Sequence, residues 1–148
     1  MTTVAPEMSS RQLVVFSLGE EEYALPITQV QEIIRYTEPR AVASDTPWIR
    51  GVISLRGKIV PVCDLGSRLG LSFQPAEDAK IVIVETETTT AGVIVDEVEE
   101  VLTVDHEQLE AVPGTTTELI DTIAKLDDRL IILLNPQTLF PDDELSAR

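Results

Sequence analysis

Apolar residues occur along the chain in short runs of Val, Ile and Leu, separated by Gly, Pro and small polar residues. Runs of about four to eight residues with such boundaries are typical of β-strands. Two-residue hairpin turns are predicted at 56–57 and 127–128, and short helical turns after Pro26, at 65–69 and at 136–140. The run at 130–134 is apolar on both faces and predicts a central strand that is buried on both sides, whereas Pro61 indicates an edge strand or a bulge. Strands are predicted at 12–18, 22–25, 30–35, 48–55, 58–62, 80–85, 91–95, 118–126 and 129–134.

The second half of the chain repeats the apolar pattern of the first half. A shift of 68 residues places 13–16 on 81–84 and 30–33 on 98–101, and a shift of 71 places 55–60 on 126–131. The apolar positions are retained while the polar ones differ, as expected when one supersecondary unit is used twice to build a core. The clearest difference is at a hairpin tip, where Arg56-Gly57 becomes Asp127-Asp128. This contrast points to a function at the first tip.

These patterns predict a mainly β protein built from two similar small β-barrels that lie side by side, with short helical turns. One domain is expected over residues 12–140, made of a subdomain at 12–70 and a subdomain at 80–140. Each copy is predicted to close as its own barrel, and the two barrels to be related by an approximate two-fold pseudo-symmetry. Residues 1–11 and 141–148 are predicted to be loose tails.

The charge of the chain narrows its possible partners. It carries 11 Lys and Arg and 26 Asp and Glu residues, a formal net charge of -15. Residues 1–77 hold seven basic and nine acidic side chains, and residues 78–148 hold four and seventeen. The negative electrostatic field of this charge opposes the binding of nucleic acids and anionic membranes. It favours a basic partner, or one that docks on the nearly neutral first half. A surplus of acidic residues could also simply keep a domain soluble. No apolar run approaches the roughly 20 residues of a membrane span, and no targeting signal is recognised, so a cytoplasmic protein is expected.

Signatures of catalysis, metal binding and cofactor binding are not found in the sequence. His106 is the single histidine and is expected to be a solvated loop residue, and Cys63 is expected to be a small core side chain. Isolated glycines do not form a phosphate-binding loop, and the acidic clusters lack the spacing of a calcium loop. We therefore expect no catalytic residue, no metal site and no cofactor. Surface recognition remains as the expected activity of a protein that is not an enzyme.

Three segments carry a family resemblance. In order, they read VQEII at 30–34, TPWIRGVI at 46–53 and LRGKIVPVCDL at 55–65, with supporting matches at 16–24 and 92–98. This ordered set, at fitting spacings from about Gln12 to Leu139, resembles the CheW family of chemotaxis coupling proteins.

The resemblance implies two five-stranded β-barrel subdomains and a non-enzymatic adaptor that couples chemoreceptors to the histidine kinase CheA. In that family the groove between the barrels accepts the helical hairpin tip of the receptor, and the barrel ends contact the regulatory domain of CheA, which is itself CheW-like. The resemblance therefore implies a location in the cytoplasm, at receptor arrays on the inner membrane, reached through the partners and without membrane insertion. The coupling positions that it implies are Val30, Glu32, Gly51 and Arg56.

Each of these positions has a structural alternative. Val30 could be an ordinary core residue, Glu32 and Arg56 could be solvated charges, and Gly51 could allow a close approach of strands. The loss of the Arg-Gly tip in the second copy favours a function for Arg56, which is expected on the surface near Glu32.

Two other functions are kept as alternatives. One is a CheW-like scaffold of a different receptor–kinase pathway, and the other is a small enzyme on a β-barrel scaffold. An enzyme should show a pocket with perturbed ionisable groups, whereas an adaptor should show an apolar groove without them. We expect such a groove between the barrels, with Val30 in its wall.

Overall fold

The structure is a computed structural model, which describes residues 10–42, 48–69, 78–87, 89–110 and 120–136. These residues form short strands, two 3-10 turns and one helical turn, so the predicted mainly β class is confirmed. The predicted tails lie outside the described residues except for Ser10 and Arg11, which belong to the first strand, so the prediction of a loose tail is wrong at these two positions. Most of the turn predicted at 136–140 also lies outside the described residues. The strands are β1 Ser10–Leu18, β2 Glu21–Pro26, β3 Val30–Arg35, β4 Ile49–Leu55, β5 Lys58–Cys63, β6 Lys80–Glu85, β7 Thr90–Val95, β8 Glu97–Asp105, β9 Leu109–Glu110, β10 Ile120–Leu126 and β11 Arg129–Leu134, with 3-10 turns at Ile27–Gln29 and His106–Gln108 and helix α1 at Leu65–Arg68.

The strands form two sheets. Sheet A has the order β8-β1-β2-β11-β10-β9, and sheet B has the order β3-β6-β7-β5-β4. Neighbouring strands are antiparallel except for one parallel pair in each sheet, β2 with β11 and β5 with β7. No main-chain pairing among the described strands closes either sheet, so barrel closure stays a prediction.

Each sheet takes strands from both sequence copies. The repeat makes β1, β2, β3, β4 and β5 equivalent to β6, β7, β8, β10 and β11. Sheet B combines β3, β4 and β5 of the first copy with the hairpin β6–β7 of the second, and sheet A shows the reverse combination with β9 added. Exchanging the copies converts one strand order into the other, as pseudo-symmetry requires.

The prediction that each copy forms its own barrel is therefore wrong. The predicted boundary between 12–70 and 80–140 does not separate the two sheets, because the chain crosses from sheet A to sheet B at the 3-10 turn after β2. Hydrophobic periodicity reports which residues are buried, but it does not report which strands pair.

Bulges recur at equivalent positions of the two sheets. Gln31 is left unpaired between β3 and β6, and Glu99 between β8 and β1. Arg50 is likewise unpaired between β4 and β5, and Asp121 between β10 and β11. Because a bulge bends and twists its strand, the matched bulges give both sheets the same local curvature.

The core has three connected parts. Successive residues of β1 face opposite sides, as strand geometry requires, so that Val15 packs inside sheet A and Phe16 packs between the sheets. The buried cluster between the sheets also contains Cys63, which confirms its expected role as a small core side chain. A third cluster lies inside sheet B around Val62 and Ile81. The two sheets are thus joined through a shared apolar core.

The proline in β5 does not mark an edge strand, contrary to one of the two expectations. β5 lies between β7 and β4, and Pro61 sits opposite Val52, which directs its main-chain groups away from β5 to Arg40. Pairing of β5 with β7 begins only at Val62. The missing N–H of Pro61 therefore removes no hydrogen bond from either neighbouring strand.

Within the described residues, no helix combines the length and the apolar character that a bilayer crossing needs. The only α-helical turn there, α1, has four residues.

Replacement of Ile131 by Ala is expected to lower the free energy of unfolding by about 2–5 kcal/mol, because Ile131 is fully buried inside sheet A and its loss leaves a cavity. The neighbouring Leu130 is 58% exposed, so the prediction that this strand is buried on both sides is wrong at this position. Leu130→Ala is therefore expected to change that free energy by less than about 0.5 kcal/mol. Denaturant unfolding followed by circular dichroism compares the two variants. Equal losses would contradict the inward face assigned to β11.

Candidate functional site

Arg56 occupies the tip of the hairpin between β4 and β5, where its side chain is 72% exposed. Arg56 and Gly57 have φ angles of 53° and 80°. Two positive φ angles are the mark of the type I′ turn, whose twist fits a two-residue hairpin. Gly adopts such angles at no steric cost, whereas an L-residue such as Arg does so at a cost. The hairpin thus presents a cationic side chain on a tightly defined turn.

Glu32 lies on β3 directly after the bulge and holds Arg56 with both carboxylate oxygens. Arg56 Nη2 donates to Oε1 at 3.0 Å, and Nη1 donates to Oε2. This bidentate contact raises the pKa of Arg56, first through the hydrogen bonding by Glu32 and second through its negative charge. The expected placement of Arg56 on the surface near Glu32 is confirmed. Exposed ion pairs contribute little to folding, so this contact shapes the surface more than it stabilises the fold.

Gly51 lies where the chain before β4 crosses closest to that strand. Its φ is 153°, and a Cβ added there would lie 2.2 Å from the carbonyl oxygen of Arg40. The same crossing is fixed by two hydrogen bonds, from Arg40 N to Val52 O at 2.8 Å and from Val52 N to Arg40 O at 2.9 Å. Only glycine satisfies both the φ angle and the close approach, so this position has a sufficient structural reason.

Val30 begins β3 and pairs with Val84 of β6. It is half-buried and packs against the core shared by the two sheets. Its apolar character is therefore explained in part by packing, and its exposed part lies two residues from Glu32 along β3.

Three of the four candidate residues border one seam, which we define as the space between the outer edges of β3 and β4 in sheet B. The Glu32–Arg56 contact closes one end of the seam, and the Arg40–Val52 bridge beside Gly51 closes the other. A cavity of about 560 Å³ lies between these ends. It differs from the groove expected between the sheets, and Val30 does not line it. Its lining includes the apolar Ile34, Val52, Ile53, Leu55 and Ile59 and the charged Arg35, Glu38 and Arg40.

The second copy contains a related ion pair that sequence reasoning missed. Arg129 Nη2 contacts Glu22 Oε2 at 3.1 Å and Glu100 Oε2 at 2.9 Å. These contacts raise the pKa of Arg129, through the hydrogen bonding of Glu22 first and of Glu100 second. Glu100 is equivalent to Glu32, but Arg129 is equivalent to Lys58, so the arginine has moved two positions along the hairpin. The sequence signal that could have indicated this ion pair is the alignment of Glu100 with Glu32 in the repeat.

A second missed feature lies at the start of β4. Arg50 Nη2 contacts Asp64 Oδ2 at 3.0 Å, and the buried Asp64 also accepts a hydrogen bond from Ser67 N at 3.2 Å, which caps α1. Arg68 lies over the ring of Trp48, 4.6 Å from its centroid. An aspartate directly before a short helix is a capping signal that sequence inspection can find. These contacts tie the bulge at Arg50 to α1, next to Gly51.

The ionisable groups show no metal-binding arrangement in the part of the chain that the structure describes. The pKa of Tyr23 is raised, chiefly because the side chain is buried and secondarily by the charge of Glu21. Neither Tyr23 nor the two arginines with a raised pKa, Arg56 and Arg129, line the cavity in the seam.

A mainly β scaffold with two pseudo-symmetric sheets and an exposed, ion-paired hairpin tip is suited to protein recognition. The family model of the CheW-like domain matches residues 12–144, and the chain belongs to this family. It is 31% identical over 142 residues to a probable chemotaxis protein CheW of Rhizobium etli, covering 93% of this chain and 92% of the relative. It is 33% identical over 132 residues to the chemotaxis protein CheW of Bacillus subtilis, covering 86% and 85%.

A solved structure shows the same similarity. The crystal structure of the scaffolding protein TtCheW from Thermoanaerobacter tengcongensis matches with a TM-score of 0.79 and 40% identity, over 84% of this chain and 88% of that chain. The expected family and mainly β fold are thereby confirmed.

Gly51→Ala is expected to lower the free energy of unfolding by about 1–3 kcal/mol or more, because the added Cβ meets the Arg40 carbonyl and the φ angle becomes strained. Gly57→Ala is the matched control, since its φ is also positive but a Cβ there has open space. Its cost should stay near the roughly 1–2 kcal/mol of an L-residue in that conformation. Denaturant unfolding measures both variants, and an equal or smaller loss at Gly51 would show that the close approach to Arg40 is not limiting.

Proposed function

We propose that the chain is a cytoplasmic, non-enzymatic adaptor that couples chemoreceptors to the histidine kinase CheA in bacterial chemotaxis. Its partners are then the cytoplasmic tip of the receptors and the regulatory domain of the kinase. Through them it is located at receptor arrays on the inner membrane. Family membership and the scaffolding and chemotaxis proteins that it resembles support this role.

The observation that carries the proposal is the Arg56–Glu32 contact. It joins a hairpin tip to the far edge of the same sheet, on the surface, at two positions that the family resemblance assigns to coupling. The Arg56 side chain is 72% exposed, and a surface ion pair of this kind contributes more to recognition than to folding.

Val30 and Gly51 have supporting roles in this proposal. The exposed part of Val30 continues the shared core outward, so that an apolar receptor side chain placed there extends existing packing. Gly51 allows the chain before β4 to lie against that strand, which fixes the end of the seam opposite Arg56. Its contribution to coupling is therefore indirect.

The adaptor acts by tethering. Once one face holds the receptor, a second face holds the kinase at a high effective concentration near that receptor. The acidic second half and the nearly neutral first half offer different electrostatic surfaces for the two partners.

Two alternative functions remain. A small enzyme would place perturbed ionisable groups in its cavity. Among the described residues, the three groups with displaced pKa values lie in the core or in surface ion pairs. A CheW-like scaffold of another receptor–kinase pathway would use the same surfaces with different partners. Reconstitution with chemotaxis partners distinguishes a scaffold of another pathway from the proposed chemotaxis adaptor.

The direct test combines the purified chain with CheA and receptor-containing vesicles. Receptor-dependent stimulation of kinase autophosphorylation is expected only when the chain is present, and all three components should sediment together. Binding of neither partner would reject the chemotaxis adaptor.

Arg56→Ala is expected to reduce receptor-dependent kinase stimulation strongly while the denaturation midpoint stays that of the wild type, because the side chain is exposed and makes one surface contact. Lys125→Ala, which removes an exposed cation from sheet A, is the control and should retain stimulation. Full stimulation by Arg56→Ala would remove the role assigned to this residue.

The charge-swapped double variant Glu32→Arg, Arg56→Glu separates two ways in which Arg56 could act. If the ion pair positions the hairpin, the swap should restore stimulation, since it restores the pair. If Arg56 contacts a partner directly, stimulation should remain low. The same kinase assay reads both outcomes.

A further inference from the structure

The two edge strands of sheet B carry free main-chain groups that face the seam. Val52 directs its N–H and C=O away from β5 to Arg40. In an antiparallel pair, successive residues of a strand point their main-chain groups alternately toward and away from the partner strand. The N–H and C=O of Ser54, two residues after Val52, therefore also point away from β5. Directly after β3, the N–H of Tyr36 donates to the carbonyl of Ala79, on the side of β6. The same alternation therefore directs the main-chain groups of Arg35 and Ile33 outward, away from β6. These outward groups have no main-chain partner among the described residues.

Comparison with sheet A explains why the seam stays open. At the equivalent edge, Leu109 and Glu110 form the short strand β9 and pair with two residues of β10. In the part of sheet B that the structure describes, the corresponding segment pairs with β4 only through Arg40. Further pairing along β4 would use the main-chain groups of Glu38, two positions before Arg40, and these have no main-chain partner among the described residues.

The unpaired main-chain groups of the seam suit an extended chain as its occupant. Both ends are fixed by contacts of hydrogen-bond length, 3.0 Å between Arg56 and Glu32 and 2.8 Å between Arg40 and Val52. An α-helix uses its main-chain N–H and C=O groups within itself, so it cannot pair with the outward groups of β3 and β4. An extended strand adds to a sheet edge at about 4.8 Å and needs only the free main-chain groups described above.

The lining of the cavity defines the chemistry of the occupant. Ile59, 68% exposed, and Leu55 present apolar surface, and Arg35 and Arg40 outnumber the one acid, Glu38. A cationic, apolar lining is unusual on a chain with a net charge of -15. It fits apolar side chains accompanied by a carboxylate.

We propose that the seam binds an extended segment of a partner by strand addition, with its apolar side chains against Ile59 and Leu55 and its carboxylate beside Arg35 and Arg40. This inference rests on the proposed function, in which the kinase is the partner that supplies the segment. The receptor tip is a helical hairpin and does not fit, whereas a CheW-like regulatory domain is built of strands. The seam is therefore assigned to the kinase.

The test measures the affinity of the purified CheA regulatory domain for four forms of the full chain by calorimetry. Ser54→Pro removes one outward N–H without touching the β4–β5 ladder, and Ile59→Asp places a charge on the apolar wall. Both are expected to weaken binding at least tenfold while their denaturation midpoints stay unchanged. Leu130→Asp, at the equivalent exposed position of sheet A, is the control and should bind as the wild type does.

Hydrogen exchange supplies a second measurement that does not depend on a variant. The amides of Ser54 and Arg35 should become protected when the regulatory domain binds the wild-type chain, and should not when receptor-containing vesicles bind it. If the wild type binds the kinase domain and neither variant loses affinity nor either amide gains protection, the seam assignment is overturned while the adaptor function stands. If the wild type binds neither partner, the adaptor function itself fails.

Discussion

Phe16 and Leu25 from sheet A pack against Val82 and Val93 from sheet B, and this shared core is what the rest of the structure depends on. Full burial of one such side chain contributes roughly 1.5–3 kcal/mol to the free energy of unfolding. The central hairpins of the two sheets, β1–β2 and β6–β7, each contribute side chains to a buried cluster on both of their faces. Separating the sheets would expose the inner faces of both hairpins at once. Because each sheet also contains strands of both copies, neither half of the sequence holds a complete sheet. The two halves are therefore expected to fold only together.

The same exchange of strands creates the candidate site. In sheet B the hairpin β6–β7 of the second copy lies between β3 and β5 of the first. Glu32 and Arg56, which belong to one sequence copy, are thus placed at opposite edges of a curved sheet and meet across the seam. Bulges at Gln31 and Arg50 add local bending to both edge strands. The geometry of the site is accordingly a property of the whole chain and not of the family segments alone.

Local patterns predicted the features that depend on local chemistry. The two-residue turn at Arg56-Gly57, the central position of β11 and the core placement of Cys63 follow from turn residues and apolar runs, and the structure confirms them. The strand β8 was not assigned, because its acids obscure the alternation. Strand exchange and the Glu100–Arg129 pair depend on contacts between distant segments, which periodicity does not encode. The proximity of Glu32 to Arg56 was expected from the family resemblance, whereas their position at the end of an open seam required the topology.

Duplication followed by divergence explains how two sheets of the same architecture can bind two different partners. Two exposed apolar residues of sheet B, Ile33 and Ile59, have exposed apolar equivalents in sheet A, Val101 and Leu130. The frame therefore offers two surfaces of similar shape, but the acidic residues are concentrated in the second half of the sequence, which supplies most strands of sheet A. Like-charge juxtaposition disfavours the wrong partner on each surface, so charge can sort partners that shape alone would not distinguish. The change from Arg56-Gly57 to Asp127-Asp128 contributes to this sorting, because it reverses the charge of an exposed turn while both hairpins keep the same strand pairing.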